Sequence, residues 1–545
     1  MTKGQLTTPA TLIYTERVTH SKTPRRWHSI AWLIALSVVL NGTAIWWGLP
    51  NSASWAPDEI SPSRVLDGLS HLFSGGWTDK YPPVHFYALA VVLLPFLGLD
   101  RLKAVDFSRP QAAAVIVIAF RLLTLLMAAG LIYLVYACGR ELYDRRGALF
   151  AAMITMLLVP FLYYAKTANL EVPYLFWFVW SLYFFIRLSK TGRRRYYLLF
   201  AMAAVLCAGT KDQAAGLFVL APLIILWNDW KKRTTSGPDR MGRGSRLAKT
   251  YLAMIAVAIG TFLLGYNVPL NFKGFLGHIK LITGPASEPY QMVPRTAAGY
   301  GHLLVLILGQ IRFCLGWPLL LICLAGLLLV LSRKPRNREL LFLLAFGFSY
   351  LVFFLGLVRF SYDRFVLPLA IILAFFGGPA LSELLGGRPK ILRAAVVIAV
   401  FAFSFLSALS VDVLMIRDSR YTVEKWLRAN IKPSQTLGTA TPIEYLPRID
   451  GYNRVSLSLR PAEFMRAPKP DYIIFTTEYA RNYDADSPEN PFFSWFWREP
   501  PGYLPAFRYR TSLPWRPVRF ENVYTNLQVI NLEIQVYARR DRAQK

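Results

Sequence analysis

The sequence is poor in cysteine and in acidic residues. Its 545 residues include four cysteines, and 32 Asp and Glu stand against 61 Lys and Arg, which gives a formal net charge of +29. The cysteines lie inside apolar segments, at Cys138, Cys207, Cys314 and Cys323. This placement excludes a disulfide framework for an exported domain, and no cysteine spacing matches a structural metal site.

The excess of basic residues follows the loops between apolar runs. These loops lie around 140–146, 187–195, 231–249, 333–338 and 388–393 in a chain that is 54% hydrophobic. Short basic loops are typical of the cytoplasmic side of membrane proteins. No basic stripe interleaved with aromatic residues occurs, so we expect no nucleic-acid partner.

The apolar runs predict a polytopic α-helical membrane protein with about eleven transmembrane helices. The runs occupy 30–49, 111–138, 147–164, 172–187, 196–210, 214–228, 250–270, 301–330, 339–358, 364–380 and 391–412. The first run is long for a signal peptide and has no small-residue cleavage site. We therefore predict a cytoplasmic tail over 1–28 and a transmembrane catalytic domain over 29–412.

The apolar stretch 84–99 is an additional helix candidate within a large first outer loop, 50–110. Counting it as a crossing would place the most basic loops outside the cell. We therefore predict a re-entrant or surface-lying helix, which leaves the membrane count at eleven. With this count the polar C-terminal part lies outside.

The C-terminal part, 413–545, predicts a small extracytoplasmic α/β domain. The stretch 421–430 has a helical pattern, 471–477 (DYIIFTT) is typical of a buried strand, and 532–537 (LEIQVY) alternates as a two-faced strand.

Two groups of charged residues in the first outer loop are candidates for chemistry. The adjacent carboxylates Asp58 and Glu59 fit a general base or metal ligands, or alternatively the cap of a helix that starts after Pro57. Farther along, Asp79 and Lys80 precede a diproline. Lys80 fits a phosphate contact or, alternatively, an interfacial anchor.

Later outer loops carry further candidates. Glu171 begins a span, where a carboxylate is costly unless it is paired or functional, and Lys166 is its expected structural partner. In the next loop Lys211 has Asp212 beside it for a simple pair. The long loop 271–301 contains His278, which fits a metal ligand or an ordinary loop histidine.

The last outer turn before the C-terminal domain is the segment 359–364, with the sequence RFSYDR. Arg359 and Arg364 present planar guanidinium groups that suit bidentate contact with phosphate. Asp363 is an alternative partner for either arginine.

These short motifs, taken in their order, resemble the GT-C glycosyltransferases, specifically the superfamily of protein O-mannosyltransferases and lipid A aminoarabinose transferases. The motifs are APDE at 56–59, DKYPP at 79–83, ANLEVP at 168–173, GTK at 209–211 and YDRFVLP at 362–368. The resemblance implies a GT-C fold and a transferase that takes sugar from a polyprenyl phosphate at the outer leaflet. It also favours eleven spans.

The same resemblance implies roles for individual residues. Asp58 would be the base that activates the acceptor, Glu59 would stand beside it, and Glu171 would orient sugar or acceptor. The donor phosphate would be bound by Lys80, Lys211, Arg359, Tyr362 and Arg364. A possible divalent metal would be bound by Asp79 and His278.

This chain departs from the family pattern at two of these positions. Glu171 replaces a more usual aspartate, and Asp79 stands where the aminoarabinose transferases have a metal-binding glutamate, so the metal is left open. The Trp-Trp-Asp signature of oligosaccharide transferases is absent. We expect an inverting enzyme of the inner membrane that acts on a lipid, protein or polysaccharide acceptor; the alternatives are a transporter or flippase, or a receptor-like protein.

Overall fold

The structure, a computed structural model, describes residues 28–51, 54–72, 81–235, 240–284, 291–333, 337–386, 390–515 and 525–543. The predicted tail 1–28 falls almost wholly outside these residues. Asp79 and Lys80 also fall outside them.

The region before the C-terminal sheet is helical. Its helices are α1 His28–Gly42, α2 Pro62–Ser70, α3 Val84–Arg101, α4 Pro110–Leu142, α5 Arg145–Met156, α6 Val159–Tyr164, α7 Glu171–Thr191, α8 Arg194–Ala208, α9 Ala221–Thr235, α10 Arg240–Gly265, α11 Phe272–Thr283, α12 Ala297–Ser332, α13 Arg338–Tyr350, α14 Gly356–Val358, α15 Leu367–Gly386 and α16 Lys390–Ile416. A π-helical segment, Leu351–Leu355, joins α13 to α14.

Nine helices within the described residues are long and apolar enough to cross a membrane. Three predicted spans fall short of that length: α1 and α8 have 15 residues each, and the run 147–164 is broken between α5 and α6. Pro160 lies in the first turn of α6 and lacks the N–H that would continue the hydrogen bonds of α5. Conversely, α3 is one continuous helix of 18 residues and qualifies by length, so its surface-lying or re-entrant placement stays a prediction.

The helices pack closely where glycines face each other. In α12 and α15, a Cβ at Gly326 would collide with the carbonyl of Phe376, and one at Gly378 with the carbonyl of Gly147. Small residues permit backbones to approach in membrane helices, where packing and not the hydrophobic effect drives association. This bundle holds the outer loops in fixed positions.

The C-terminal part forms a five-stranded sheet flanked by helices, with strand order β2-β1-β3-β5-β4. Its elements are α17 Ser419–Asn430, β1 Thr436–Thr439, β2 Asn453–Ser456, α18 Pro461–Arg466, β3 Tyr472–Thr476, α19 Thr477–Asp486, α20 Phe492–Arg498, β4 Tyr503–Tyr509, β5 Ile534–Arg539 and α21 Arg540–Ala543. Strands β1, β2 and β3 run parallel, and β5 runs antiparallel to β3 and β4.

The predicted fold class is confirmed: a helical membrane protein carries a small C-terminal α/β region, and both predicted strands and the predicted helix are present. The domain boundaries stay predictions; in the structure α16 ends at Ile416, just after the predicted boundary at 412.

Candidate active site

Asp58 lies in the first outer loop with an unusual backbone. Its φ is +62°, in the left-handed region, where a non-glycine residue is held only by its surroundings. Asn169 helps to hold this backbone conformation, because its side-chain N–H donates to the carbonyl of Pro57 at 2.8 Å. The carboxylate is 40% exposed and accepts a 2.7 Å hydrogen bond from Nη1 of Arg364. Asp58 therefore has one face on a cation and another on solvent.

Behind Asp58 lies a second, buried carboxylate. Glu171 begins α7, where the helix dipole favours a negative charge. Its Oε1 is 2.6 Å from Nζ of Lys211 and 3.5 Å from Nε of Arg364. Burial lowers the pKa of Lys211, and the Glu171 carboxylate opposes that shift. Arg364 thus links Asp58 to the Glu171–Lys211 pair, and we call these four residues the charged chain.

Aromatic rings surround the two cations of the charged chain. The Lys211 Nζ lies 5.6 Å from the ring centroid of Tyr81 and 5.9 Å from that of Phe365. The Arg364 guanidinium lies 5.1 Å from the Tyr362 ring and 5.6 Å from the Phe365 ring. Such faces stabilise cations while excluding water. Tyr362, which is predicted to bind phosphate, therefore contacts Arg364 of the predicted phosphate site with its ring.

Glu59, the neighbour of Asp58, points away from the charged chain. Its carboxylate receives two hydrogen bonds from Arg121 of α4, at 2.8 and 2.7 Å, and a third from the backbone N–H of Ala168 at 2.8 Å. The hydroxyl of Ser54 donates to it as well. Burial alone would raise the pKa of Glu59, but Arg121 and these donors bring it below 4.5. Both oxygens of the Glu59 carboxylate therefore already accept hydrogen bonds from the protein, which disfavours the predicted catalytic role.

Arg121 was not predicted from the sequence as part of the site. It is fully buried and also donates through Nη1 to the carbonyls of Ile45 and Trp47, at 2.7 and 2.8 Å. The first and second outer loops are further joined by the N–H of Ile60, which donates to Ala168 O at 3.1 Å. A lone arginine inside the apolar run 111–138 was the available signal, since such residues are costly unless paired.

Lys166 does not pair with Glu171. Its ammonium contacts the carboxylate of Asp412 in α16 and donates to the carbonyl of Leu40 at 3.1 Å. Both side chains of the pair are buried. The pairing expected from closeness in sequence is therefore wrong, because the partner comes from the last membrane helix.

Arg359 holds a neighbouring loop and is separate from the charged chain. Its guanidinium donates to the carbonyl of Val293 at 2.8 Å and to the side-chain oxygen of Gln291. The residue has φ +56°, so its backbone turns sharply at the end of α14. Its predicted role in binding phosphate would require these contacts to break.

His278 also has a protein partner. Its Nε2 lies 3.0 Å from Oδ2 of Asp212, and Tyr266 donates to Oδ1 of the same carboxylate at 3.2 Å. The expected pair of Lys211 with Asp212 is thus replaced by two pairs with residues elsewhere. Among the residues that the structure describes, no group of three or more His, Cys, Asp or Glu side chains is arranged to hold a metal. Asp79, the other predicted metal ligand, lies outside the described residues, so the metal stays a prediction.

The C-terminal domain contacts the loop that carries Arg364. Thr525 donates its hydroxyl to Oδ2 of Asp363 at 2.6 Å, and the N–H of Arg364 donates to Oδ1 at 2.7 Å. Burial raises the pKa of Asp363 to about 7, although Thr525 and Arg364 oppose the shift. Asp363 therefore positions Arg364 through the backbone and pairs with neither arginine side chain.

A second contact joins the C-terminal domain to the first outer loop. Asp418 accepts hydrogen bonds from Trp47 Nε1 at 3.0 Å and from Arg420 Nη2 at 2.7 Å. The Arg420 guanidinium lies 4.0 Å from the ring centroid of Trp55. Asp418, Arg420, Trp47 and Trp55 are all fully buried. We call this group the loop anchor.

A family model matches part of the chain. The family described as dolichyl-phosphate-mannose-protein mannosyltransferase matches residues 115–242, which include Arg121, Glu171 and Lys211. The resemblance predicted from the short motifs is confirmed over this segment. No curated protein sequence matches the chain.

Several solved structures have a similar layout. They include ArnT from Cupriavidus metallidurans bound to undecaprenyl phosphate, at 12% identity over 94% of this chain and 98% of that chain with a TM-score of 0.46. Another is the oligosaccharyltransferase AglB from Archaeoglobus fulgidus with an inhibitory peptide and a dolichol-phosphate, at 13% identity over 82% and 69% with a TM-score of 0.46. The Pmt1–Pmt2 complex of S. cerevisiae bound to its sugar donor matches at 15% identity over 44% and 34%, with a TM-score of 0.32. At this similarity none of them assigns a role to a residue of this chain.

Proposed function

We propose that this protein is a membrane glycosyltransferase that moves a sugar from a polyprenyl-phosphate donor to an acceptor hydroxyl. The observation that carries the proposal is the charged chain, in which Arg364 joins the half-exposed Asp58 to the buried Glu171 and Lys211. Four separate loops contribute these residues. The matched family description, which names a dolichyl-phosphate sugar donor, supports the donor class.

The chemistry assigns opposite tasks to the two ends of the charged chain. A donor phosphate near Arg364 and Lys211 competes with the carboxylates that now bind them. When Arg364 turns to the phosphate, the 2.7 Å hydrogen bond to Asp58 breaks, and that carboxylate oxygen can accept a proton in its place. Donor binding would therefore prepare the base.

The transfer is one displacement. The acceptor oxygen forms a bond to the anomeric carbon while its proton passes to Asp58, and the bond from that carbon to the phosphate oxygen breaks. Polyprenyl phosphate leaves with the electron pair, and Arg364 and Lys211 stabilise its negative charge. A single in-line displacement inverts the anomeric configuration. Glu171, held at 2.6 Å from Lys211, positions the cations.

The sidedness of the site follows from charge. The basic loops favour the cytoplasm, so the loops of the charged chain lie on the extracytoplasmic face of the inner membrane. Acceptors available on that face include lipids, proteins and polysaccharides.

The test is transfer by purified protein in proteoliposomes, with radiolabelled hexosyl and pentosyl undecaprenyl phosphates as donors and envelope extract as acceptor. Asp58→Asn is expected to reduce transfer at least about a hundredfold, the effect of removing a positioned base. The matched control is Asp67→Asn in α2 of the same loop, where the side chain is 54% exposed and forms an ion pair with His71. Wild-type transfer by the Asp58→Asn protein would refute the mechanism.

Donor binding supplies an independent measurement. Arg364→Gln is expected to weaken binding of undecaprenyl phosphate roughly tenfold to a hundredfold, since a hydrogen bond to a charged group contributes about 1.5–3 kcal/mol. Unchanged donor affinity in this variant would remove Arg364 from the phosphate site.

A further inference from the structure

A cavity of about 590 Å³ lies in the first outer loop, and no member of the charged chain lines it. It is enclosed by the loop that follows α1, by α2, by the C-terminal half of α3 and by the first turns of α4. Its volume lies within the range of small-molecule sites. The donor-phosphate site proposed above therefore leaves this space unexplained.

The inner walls of the cavity are apolar. From α3 come Leu93, Phe96 and Leu97, and from α4 come Ala113 and Ile116. Leu93 and Ile116 belong to one buried cluster that also joins α3 to the second outer loop. A hydrocarbon chain gains free energy in proportion to the apolar surface that it removes from water.

The polar part of the lining selects against an anion. Among the described residues, the lining contains no lysine, arginine or histidine and three carboxylates, Glu59, Asp100 and Asp106. Glu59 is paired with Arg121 and Asp106 with Arg109, whereas Asp100 forms no ion pair among the described residues and leaves a negative charge at the cavity. A phosphate or carboxylate head group would be repelled there, while hydroxyl groups find acceptors.

Asn51 points to a ligand in this cavity. Its side-chain N and O are both buried and have no hydrogen-bond partner among the described residues. Leaving a buried polar group without a hydrogen bond destabilises the fold. A hydroxyl can donate to the amide oxygen and accept from the amide nitrogen, so a hydroxylated ligand would satisfy both atoms.

We infer that this cavity binds an uncharged lipid, with its hydrocarbon chain between α3 and α4 and its hydroxylated head group at Asn51. The consequence for catalysis rests on the proposed function. Glu59 lines the cavity and directly follows Asp58 in the chain, so the hydroxyl-bearing lipid is the acceptor class that this loop would present to the base.

The test uses photolabelling in detergent-free nanodiscs. The probes are a long-chain fatty alcohol with a diazirine in its chain and two analogues that end in carboxylate or phosphate. The alcohol is expected to label peptides from 93–117 roughly tenfold more than either anion, the ratio that corresponds to about 1.4 kcal/mol. Equal labelling by the three probes, or no labelling by the alcohol because water alone fills the cavity, would overturn the inference.

Variants locate the labelled site. Ala113→Trp fills the cavity and should abolish labelling. The control is Val115→Trp in the same helix, where the native side chain is 51% exposed and does not line the cavity, and this variant should retain labelling. Thermal unfolding checks that Ala113→Trp is folded, and Asn51→Leu, which leaves the apolar walls intact, should erase the preference for the alcohol. Labelling that persists in Ala113→Trp, or a preference that persists in Asn51→Leu, contradicts the inference.

Failure of the proposed function would look different. Labelling needs no turnover, so Asp58→Asn should label like wild type. If no donor sugar is transferred but labelling behaves as expected, the proposed function is wrong and the cavity assignment stands. If transfer occurs and Ala113→Trp changes neither labelling nor the KM for a hydroxylated lipid, the cavity assignment is wrong.

Discussion

Replacing Glu59 with glutamine would leave the Arg121 guanidinium buried without a negative partner. Both side chains are only 1% exposed, and two hydrogen bonds of 2.8 and 2.7 Å join them. Breaking such a pair by removing one partner costs about 3–5 kcal/mol. The glutamine oxygen still accepts one hydrogen bond, so we expect a loss near about 3 kcal/mol in the free energy of unfolding. Asp58→Asn removes a pair whose carboxylate is 40% exposed, and the buried Arg364 keeps Glu171 at 3.5 Å. We therefore expect a smaller loss, of about 1 kcal/mol.

The assay compares thermal unfolding and sugar transfer for the two variants in one detergent. Glu59→Gln should unfold at a clearly lower temperature, and Asp58→Asn should lose transfer with little change in unfolding. Because the pKa of Glu59 is lowered below 4.5, its stabilisation is present above that pH and is lost as the pH falls through the lowered value. The stability gap between wild type and Glu59→Gln should therefore shrink below about pH 4.5. Normal unfolding of Glu59→Gln with abolished transfer would refute the structural role and restore the catalytic one.

Four further substitutions test other buried groups. Asp363→Asn keeps an acceptor for the Arg364 N–H, and its amide N–H faces the Thr525 hydroxyl, which can rotate to accept. Because the native carboxyl has a pKa of about 7 in place of 3.8, the wild type loses stability as the pH rises toward 7. Chemical unfolding should show the variant's advantage growing by about 2–3 kcal/mol from pH 5 to pH 8. Lys166→Met alone should lower the free energy of unfolding by about 3–5 kcal/mol, because it leaves the Asp412 carboxylate buried without its partner. The double variant with Asp412→Leu should lose much less. Additive losses in a double-mutant cycle would contradict the pairing. Arg359→Gln breaks the contact with Val293 and should speed protease cleavage within 291–297 without lowering donor affinity. A loss of donor affinity would restore Arg359 to the phosphate site.

The sequence predicted the class of protein and the residues of the charged chain because both depend on local patterns. Apolar runs of spanning length mark the helices directly, and charged residues at the ends of such runs are conspicuous. Glu171, Lys211 and Arg364 lie at the ends of apolar runs, and Asp58 lies in the first outer loop as one of two adjacent carboxylates. Their convergence agrees with the prediction, made from the basic loops, that these loops lie on one side of the membrane.

The pairing of those charges was not predictable from neighbouring positions. Lys166 selects Asp412, which is 246 positions away, because α16 packs beside the second outer loop in the folded chain. Glu59 likewise pairs with Arg121, which is distant in sequence. Because Glu59 directly follows Asp58, the sequence alone did not show that one carboxylate is buried and the other half-exposed. Adjacent residues in an irregular loop point in different directions, so only the tertiary structure separates the half-exposed carboxylate from the buried one.

The loop anchor has a consequence for protein engineering. Asp418 and Arg420 belong to the C-terminal part, yet their partners Trp47 and Trp55 lie at the opposite end of the chain. A chain truncated after α16 would leave two buried tryptophans exposed in the loop that carries Asp58. Chimeras that exchange C-terminal domains between relatives would then retain activity only when the segment after α1 is exchanged with them.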